Sequence, residues 1–164
     1  MRPTPVAALA LAACTTSPPP AAAGPVFDPM SFFQGRTRGQ GELRVLLRRP
    51  RSVSVESRGR VRPDGSLVVA QRIEEAGRPA RTRSWTIRRT GPATYAGALS
   101  DAAGPVRGEV EGNRLRLRFP IKGGLAAEQW LTLSPDGRFA RNRLTVRKLG
   151  VTAARLDETI RKLP

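Results

Sequence analysis

Arg114-Leu115-Arg116-Leu117-Arg118-Phe119 is the most regular stretch of this chain. Cation and apolar side chain alternate at every position. Successive side chains of an extended strand point to opposite faces. Three arginines therefore face one way, and Leu115, Leu117 and Phe119 the other. A helix would scatter the same residues around its axis. The stretch predicts a strand with one buried and one solvated face, the pattern of an antiparallel sheet.

The neighbouring sequence repeats this grammar. Val53, Val55 and Val61 share one parity, and Ser54, Glu56, Arg58, Arg60 and Arg62 take the other. Leu67, Val69 and Ile73 alternate less cleanly with Ser66, Val68 and Arg72. Turn residues separate these runs at short intervals: Pro63-Asp64-Gly65, Ala76-Gly77, Gly91-Pro92, Gly112-Asn113, Gly123-Gly124 and Pro135-Asp136-Gly137. The punctuation predicts strands at 36–48, 52–62, 66–75, 81–90, 94–101, 105–112, 114–121, 127–134, 138–148 and 151–162. Short consecutive hairpins make an up-and-down meander. Closure into a barrel of about eight to ten strands removes its exposed edges; a two-sheet sandwich is the alternative. The last segment reads two ways. Ala153, Leu156, Ile160 and Leu163 would line one face of a helix, and 151–162 could equally close the sheet as a strand.

Composition narrows the function. The 164 residues carry 29 Lys+Arg against 13 Asp+Glu, a net charge of +16, with no histidine and one cysteine. A Ser-His-Asp or Cys-His catalytic set is impossible without histidine. A Cys/His zinc site and an internal disulfide are equally excluded. No catalytic residue, metal ligand or cofactor site emerges.

The one cysteine has an informative place. Arg2 and the apolar run Val6 to Ala13 form a short signal-like segment, far below the roughly 20 residues of a membrane span. Leu11-Ala12-Ala13-Cys14 resembles a bacterial lipobox, in which the cysteine thiol receives a diacylglycerol. The expected organisation is a lipoprotein signal peptide at 1–13, a lipid-anchored tether at 14–31 and a barrel domain at 32–164. Thr15 follows Cys14 where aspartate would favour inner-membrane retention. The expected address is the outer membrane, lipid-anchored and facing the periplasm.

Several motifs in order then resemble a known family. They are Phe32-Phe33-Gln34-Gly35, Arg83-Ser84-Trp85-Thr86-Ile87, Tyr95-Ala96-Gly97, Gly112-Asn113, Leu133-Ser134-Pro135-Asp136-Gly137, Asn142-Arg143 and Lys148-Leu149-Gly150-Val151. This order resembles the bacterial lipoproteins grouped as domain of unknown function 3833, across about residues 32–162. The resemblance implies a lipocalin-like, calycin-type barrel and favours the strand reading of 151–162. It implies no activity.

Candidate binding residues follow from parity. Arg83, Trp85 and Ile87 share one face, so an inward Trp85 brings Arg83 inward with it. A buried guanidinium must be paired or stacked. Arg83 either holds an anionic head group, such as a fatty-acid carboxylate, or stacks on Trp85 to close the barrel. Asn142 shares parity with Leu144 and Val146, and is expected to bond backbone or to touch a ligand. Arg58, Arg60, Arg62, Arg114, Arg116 and Arg118 form arginine stripes expected on a basic surface. With only eight aromatics there is no stacking platform for nucleic acid. Anionic lipid or lipopolysaccharide fits those stripes better. The expected function is non-catalytic binding of a small apolar or amphipathic molecule. The alternative is a filled barrel acting as an interaction module through its basic face.

Overall fold

The computed structural model describes residues 24–164. The expected signal segment, Cys14 and the first part of the expected tether lie outside the described residues.

A single helical turn, α1 (Pro29–Phe32), precedes ten strands. These are β1 (Gly35–Val45), β2 (Arg51–Val61), β3 (Leu67–Glu75), β4 (Arg81–Arg89), β5 (Thr94–Leu99), β6 (Val106–Glu111), β7 (Arg114–Ile121), β8 (Leu125–Leu133), β9 (Phe139–Lys148) and β10 (Val151–Lys162). Each pairs antiparallel with its chain neighbours, and β10 returns to β1 to close the barrel. Closure runs from Thr37↔Lys162 to Val45↔Ala154, so both would-be edge strands are paired along most of their length. The sandwich alternative is excluded. Residues 151–162 form a strand, although their apolar spacing also suits a helix. Nine register pairs with β1 and the ladder to β9 outweigh that local preference.

The turns obey their local chemistry. In both Pro-Asp-Gly turns the glycine adopts positive φ, 77° at Gly65 and 67° at Gly137, which glycine tolerates without a Cβ clash. The Asp64 carboxylate accepts from the Ser66 amide at 2.9 Å, and that of Asp136 from the Arg138 amide at 3.1 Å.

Five hairpins, β1–β2, β3–β4, β5–β6, β7–β8 and β9–β10, gather at one end, here the hairpin end. The opposite end is plugged by residues 27–33. Phe27, Phe32 and Phe33 form a ring cluster with centroids 4.9–6.5 Å apart. Asp28 caps α1 through the Met30 amide and pairs with Arg89 at 3.1 Å. The Phe27 amide donates to the Gly112 carbonyl at 2.9 Å, and Lys162 Nζ donates to the Ser31 carbonyl at 2.5 Å. Phe27 is fully buried, so packed structure begins inside the expected 14–31 tether and before the expected start at residue 32. A run of aromatics spaced 27, 32 and 33 has no strand or helix period, and only the barrel mouth gives it a place to bury.

Candidate functional site

The inward columns of the strands are apolar at both ends and polar in the middle. The larger apolar cluster lies toward the plugged end and includes Leu67, Val69, Trp85, Ile87, Leu117 and Leu131. A smaller one toward the hairpin end contains Val53, Val55, Ile73 and Leu156. Between them the same columns present Ser57, Gln71, Arg83, Gln129, Asn142 and Glu158.

Register aligns these polar residues into rows. Thr37 pairs with Ser57, Ser57 with Gln71 and Gln71 with Arg83 across β1 to β4. Asn142 pairs with Glu158 across β9 and β10. The Gln71 side chain is the hub. Its Oε1 accepts from Arg83 Nε at 2.7 Å and from Trp85 Nε1 at 2.8 Å, and its Nε2 donates to Ser57 Oγ at 3.0 Å. The Arg83 guanidinium lies 5.5 Å from the Trp85 ring centroid. Trp85 meets Phe119 edge-to-face at 5.5 Å. On the other wall Asn142 Nδ2 donates to Glu158 Oε2 at 2.8 Å. Gly39 makes room for that carboxylate, since a Cβ there would sit 1.8 Å from Glu158 Oε1.

The electrostatics of the two walls are opposed. Burial pushes Arg83 below the usual arginine range, with Arg81 adding to the shift and Asp101 and Glu158 acting against it. Burial likewise pushes the Glu158 carboxyl above the usual range, while Asn142 and Arg83 pull it back. Among the described residues no carboxylate lies within ion-pair distance of Arg83. The two groups face a partly open cavity of about 40 Å³, walled also by Phe33, Gln71, Trp85 and Asn142. That volume accommodates about one water molecule.

The expected site residues distribute as follows. Arg83, Trp85, Ile87 and Asn142 all face the interior, and Arg83, Trp85, Ile87 and Asn142 all line the cavity. Asn142 bonds a side chain, Glu158, where a backbone partner was expected. Arg58, Arg60 and Arg62 are exposed on β2 and its following turn. The β7 stripe departs from a solvated basic face. Arg114 is buried and Arg116 half-buried, because the outward Trp130 of β8 sits beside them, with guanidinium-to-ring distances of 5.4 and 5.0 Å. Arg114 also pairs with Glu111 at 3.0 Å, Arg116 with Glu128, and Arg118 with Glu109 at 2.6 Å. The stripe is largely neutralised by its neighbours.

Glu158, Gln71, Ser57 and Gln129 escaped the sequence reading. Their signal was parity: Glu158 lies between Leu156 and Ile160, and Gln71 between Val69 and Ile73. A polar residue inside an apolar column marks an inward polar group as surely as an apolar neighbour marks the core.

A family described as protein of unknown function, DUF3833, matches residues 8–162. No curated protein matches the chain. Among solved structures, an S-type phycobiliprotein lyase, CPES, from Guillardia theta is similar in fold, with a TM-score of 0.61. Identity is 7%, and the match covers 82% of this chain and 91% of that one.

Proposed function

The chain belongs to DUF3833, a family of unknown function, and for it we propose a binding protein that receives a small amphipathic molecule, acidic head group first, at Arg83. The observation that carries this reading is the company Arg83 keeps. Arg83 is turned into the barrel over the Trp85 ring, and among the described residues its hydrogen-bond partner is the neutral Gln71 amide. A desolvated cation without a contact counter-charge is costly. An acidic head group would supply that charge, with Gln71 and Trp85 fixing its orientation. Trp85, Ile87 and Ile160 offer apolar contact beside it. The role proposed is binding without chemistry.

The cavity limits what enters unaided. An acyl chain exceeds 40 Å³ many times over, so its entry displaces a wall. Phe33 is that wall in this proposal, because it belongs to the short plug and not to a strand. The small cavity also favours the second reading, a filled barrel that works through its outer surface on anionic lipid or lipopolysaccharide, with the exposed Arg58, Arg60 and Arg62 as its cations. We further propose lipidation at Cys14 and an outer-membrane address facing the periplasm.

Native mass spectrometry of protein purified from its own envelope tests the two readings. A bound mass that is lost from Arg83→Leu supports the ligand reading. A bare barrel, folded and monodisperse, supports the filled one. Labelling with a fatty-acid analogue should tag the wild type and spare Cys14→Ser; label retained in that variant removes the anchor proposal.

A further inference from the structure

The hairpin end carries leucines where turn chemistry asks for polar residues. The β9–β10 hairpin turns through Leu149-Gly150, both at positive φ, 48° and 83°. Two-residue turns with both central residues at positive φ strongly prefer Asn-Gly or Asp-Gly. Leucine stands in the asparagine position and is 95% exposed. The β1–β2 turn does the same independently. Leu47 has φ 59° and is 97% exposed, next to an exposed Leu46. These two hairpins are adjacent, since β1 pairs with β10, and the Leu46 amide donates to the Ala153 carbonyl at 2.9 Å. Val151, also exposed, extends the patch. Local backbone preference and hydration both disfavour this arrangement, so packing inside the chain does not account for it.

Charge indicates the occupant. Arg48 and Arg49 follow Leu47, Lys148 precedes Leu149, and Lys122 tips the neighbouring β7–β8 hairpin. All four are exposed, and none has an ion-pair partner among the described residues. The acids nearest this end are engaged: Glu75 by Arg51 and Arg78, and Asp101 by Arg81. Exposed leucines set within unpaired cations complement an anionic bilayer surface. There the leucines enter the acyl boundary and the cations stay at the phosphates.

We propose that the hairpin end docks on anionic lipid bilayers, with Leu47 and Leu149 as its two insertion points. The surface lies opposite the plug and rests on none of the cavity argument, so either proposal can fail alone.

The test uses the full chain carrying Cys14→Ser and vesicles of phosphatidylglycerol with phosphatidylcholine in equal parts, against pure phosphatidylcholine. The parent should sediment with the mixed vesicles and much less with the neutral ones. Adding Leu47→Asn and Leu149→Asn together should weaken binding more than about tenfold, since two leucines lose apolar burial. The same variant should melt no lower than the parent, because asparagine suits positive φ. Replacing Arg48, Arg49, Lys122 and Lys148 by Gln should also weaken binding, and should remove most of its salt dependence. An environment-sensitive dye on Leu149→Cys should shift to the blue on the mixed vesicles, whereas a dye on Arg138→Cys at the plugged end should not. Unchanged binding by the double Asn variant, or a blue shift at position 138, overturns the proposal. So does pairing of the chain with itself through the leucines while it stays off vesicles.

Discussion

Two arginine–tryptophan contacts sit on opposite sides of the same barrel wall, and they are solved in opposite ways. Inside, Arg83 lies over Trp85, which is 5% exposed, and its hydrogen-bond partner is the Gln71 amide. Outside, Arg116 lies over the half-buried Trp130 and pairs with Glu128, which also receives Arg147 at 3.5 Å. The stacking is the same, and the counter-charge differs. On the outer face a carboxylate is cheap, because its other lone pairs remain in water. In the interior each added charge brings its own desolvation cost, and the fold supplies a dipole to Arg83 and holds the acid Glu158 at a distance. An arginine stripe read from alternation alone does not distinguish these two situations. Cross-strand partners do.

The largest contrast is expected from truncating the rings. Trp85→Ala should destabilise by about 3–5 kcal/mol in urea unfolding, as for other buried aromatics, because it opens the core and frees Gln71. Trp130→Ala should cost far less, with about 0.5–1 kcal/mol from each lost cation–ring contact. Equal losses would break the distinction between the two faces.

A head-group ligand sharpens it next. With a fatty acid as probe, Arg83→Leu should lose about 1.5–3 kcal/mol of affinity for the carboxylate form and little for the matching alcohol. Arg116→Leu should leave that discrimination intact in the same titration. Stability of Arg116→Leu should fall by only about 1 kcal/mol, the scale of a partly exposed ion pair. A large loss there would place the outer cluster among the determinants of the fold.

The smallest effect concerns pH. The Glu158 carboxyl is raised above its ordinary value of 4.5, first by burial. The folded state therefore holds its proton more tightly than the unfolded chain does. Its stabilising contribution is complete below about the ordinary value and is lost as pH rises through the raised folded value. Glu158→Gln should accordingly be more stable than the wild type at neutral pH, with the advantage vanishing on acidification. The exposed Asp64 and Asp136 have the opposite sign. Hydrogen bonds from Ser66 and Ser134 lower their carboxyls, so their contribution is present at neutral pH and fades as pH falls through the lowered values. Unfolding curves of Glu158→Gln and wild type that stay parallel from acid to neutral pH would mean that Glu158 reaches solvent.

The sequence alone determined the first nine strands, their turns and their inward faces. Alternation at 114–119 and the Pro-Asp-Gly turns are consequences of one-residue geometry, and that geometry survives any tertiary context. Parity alone also sent Arg83, Trp85 and Asn142 inward. Three matters belonged to the tertiary structure. Residues 151–162 had apolar spacings suited to both helix and strand, and pairing with β1 and β9 resolved them. Phe27 found its burial in a barrel mouth built from residues distant in sequence. The partners of each charge came from register: Gln71 for Arg83, Asn142 for Glu158, and Glu128 and Trp130 for Arg116. Direction along a strand is written locally, because each peptide unit reverses the side chain. Partnership across strands is set by how ten strands slide into one closed ladder, a choice shared by the whole chain and recorded in no single segment of it.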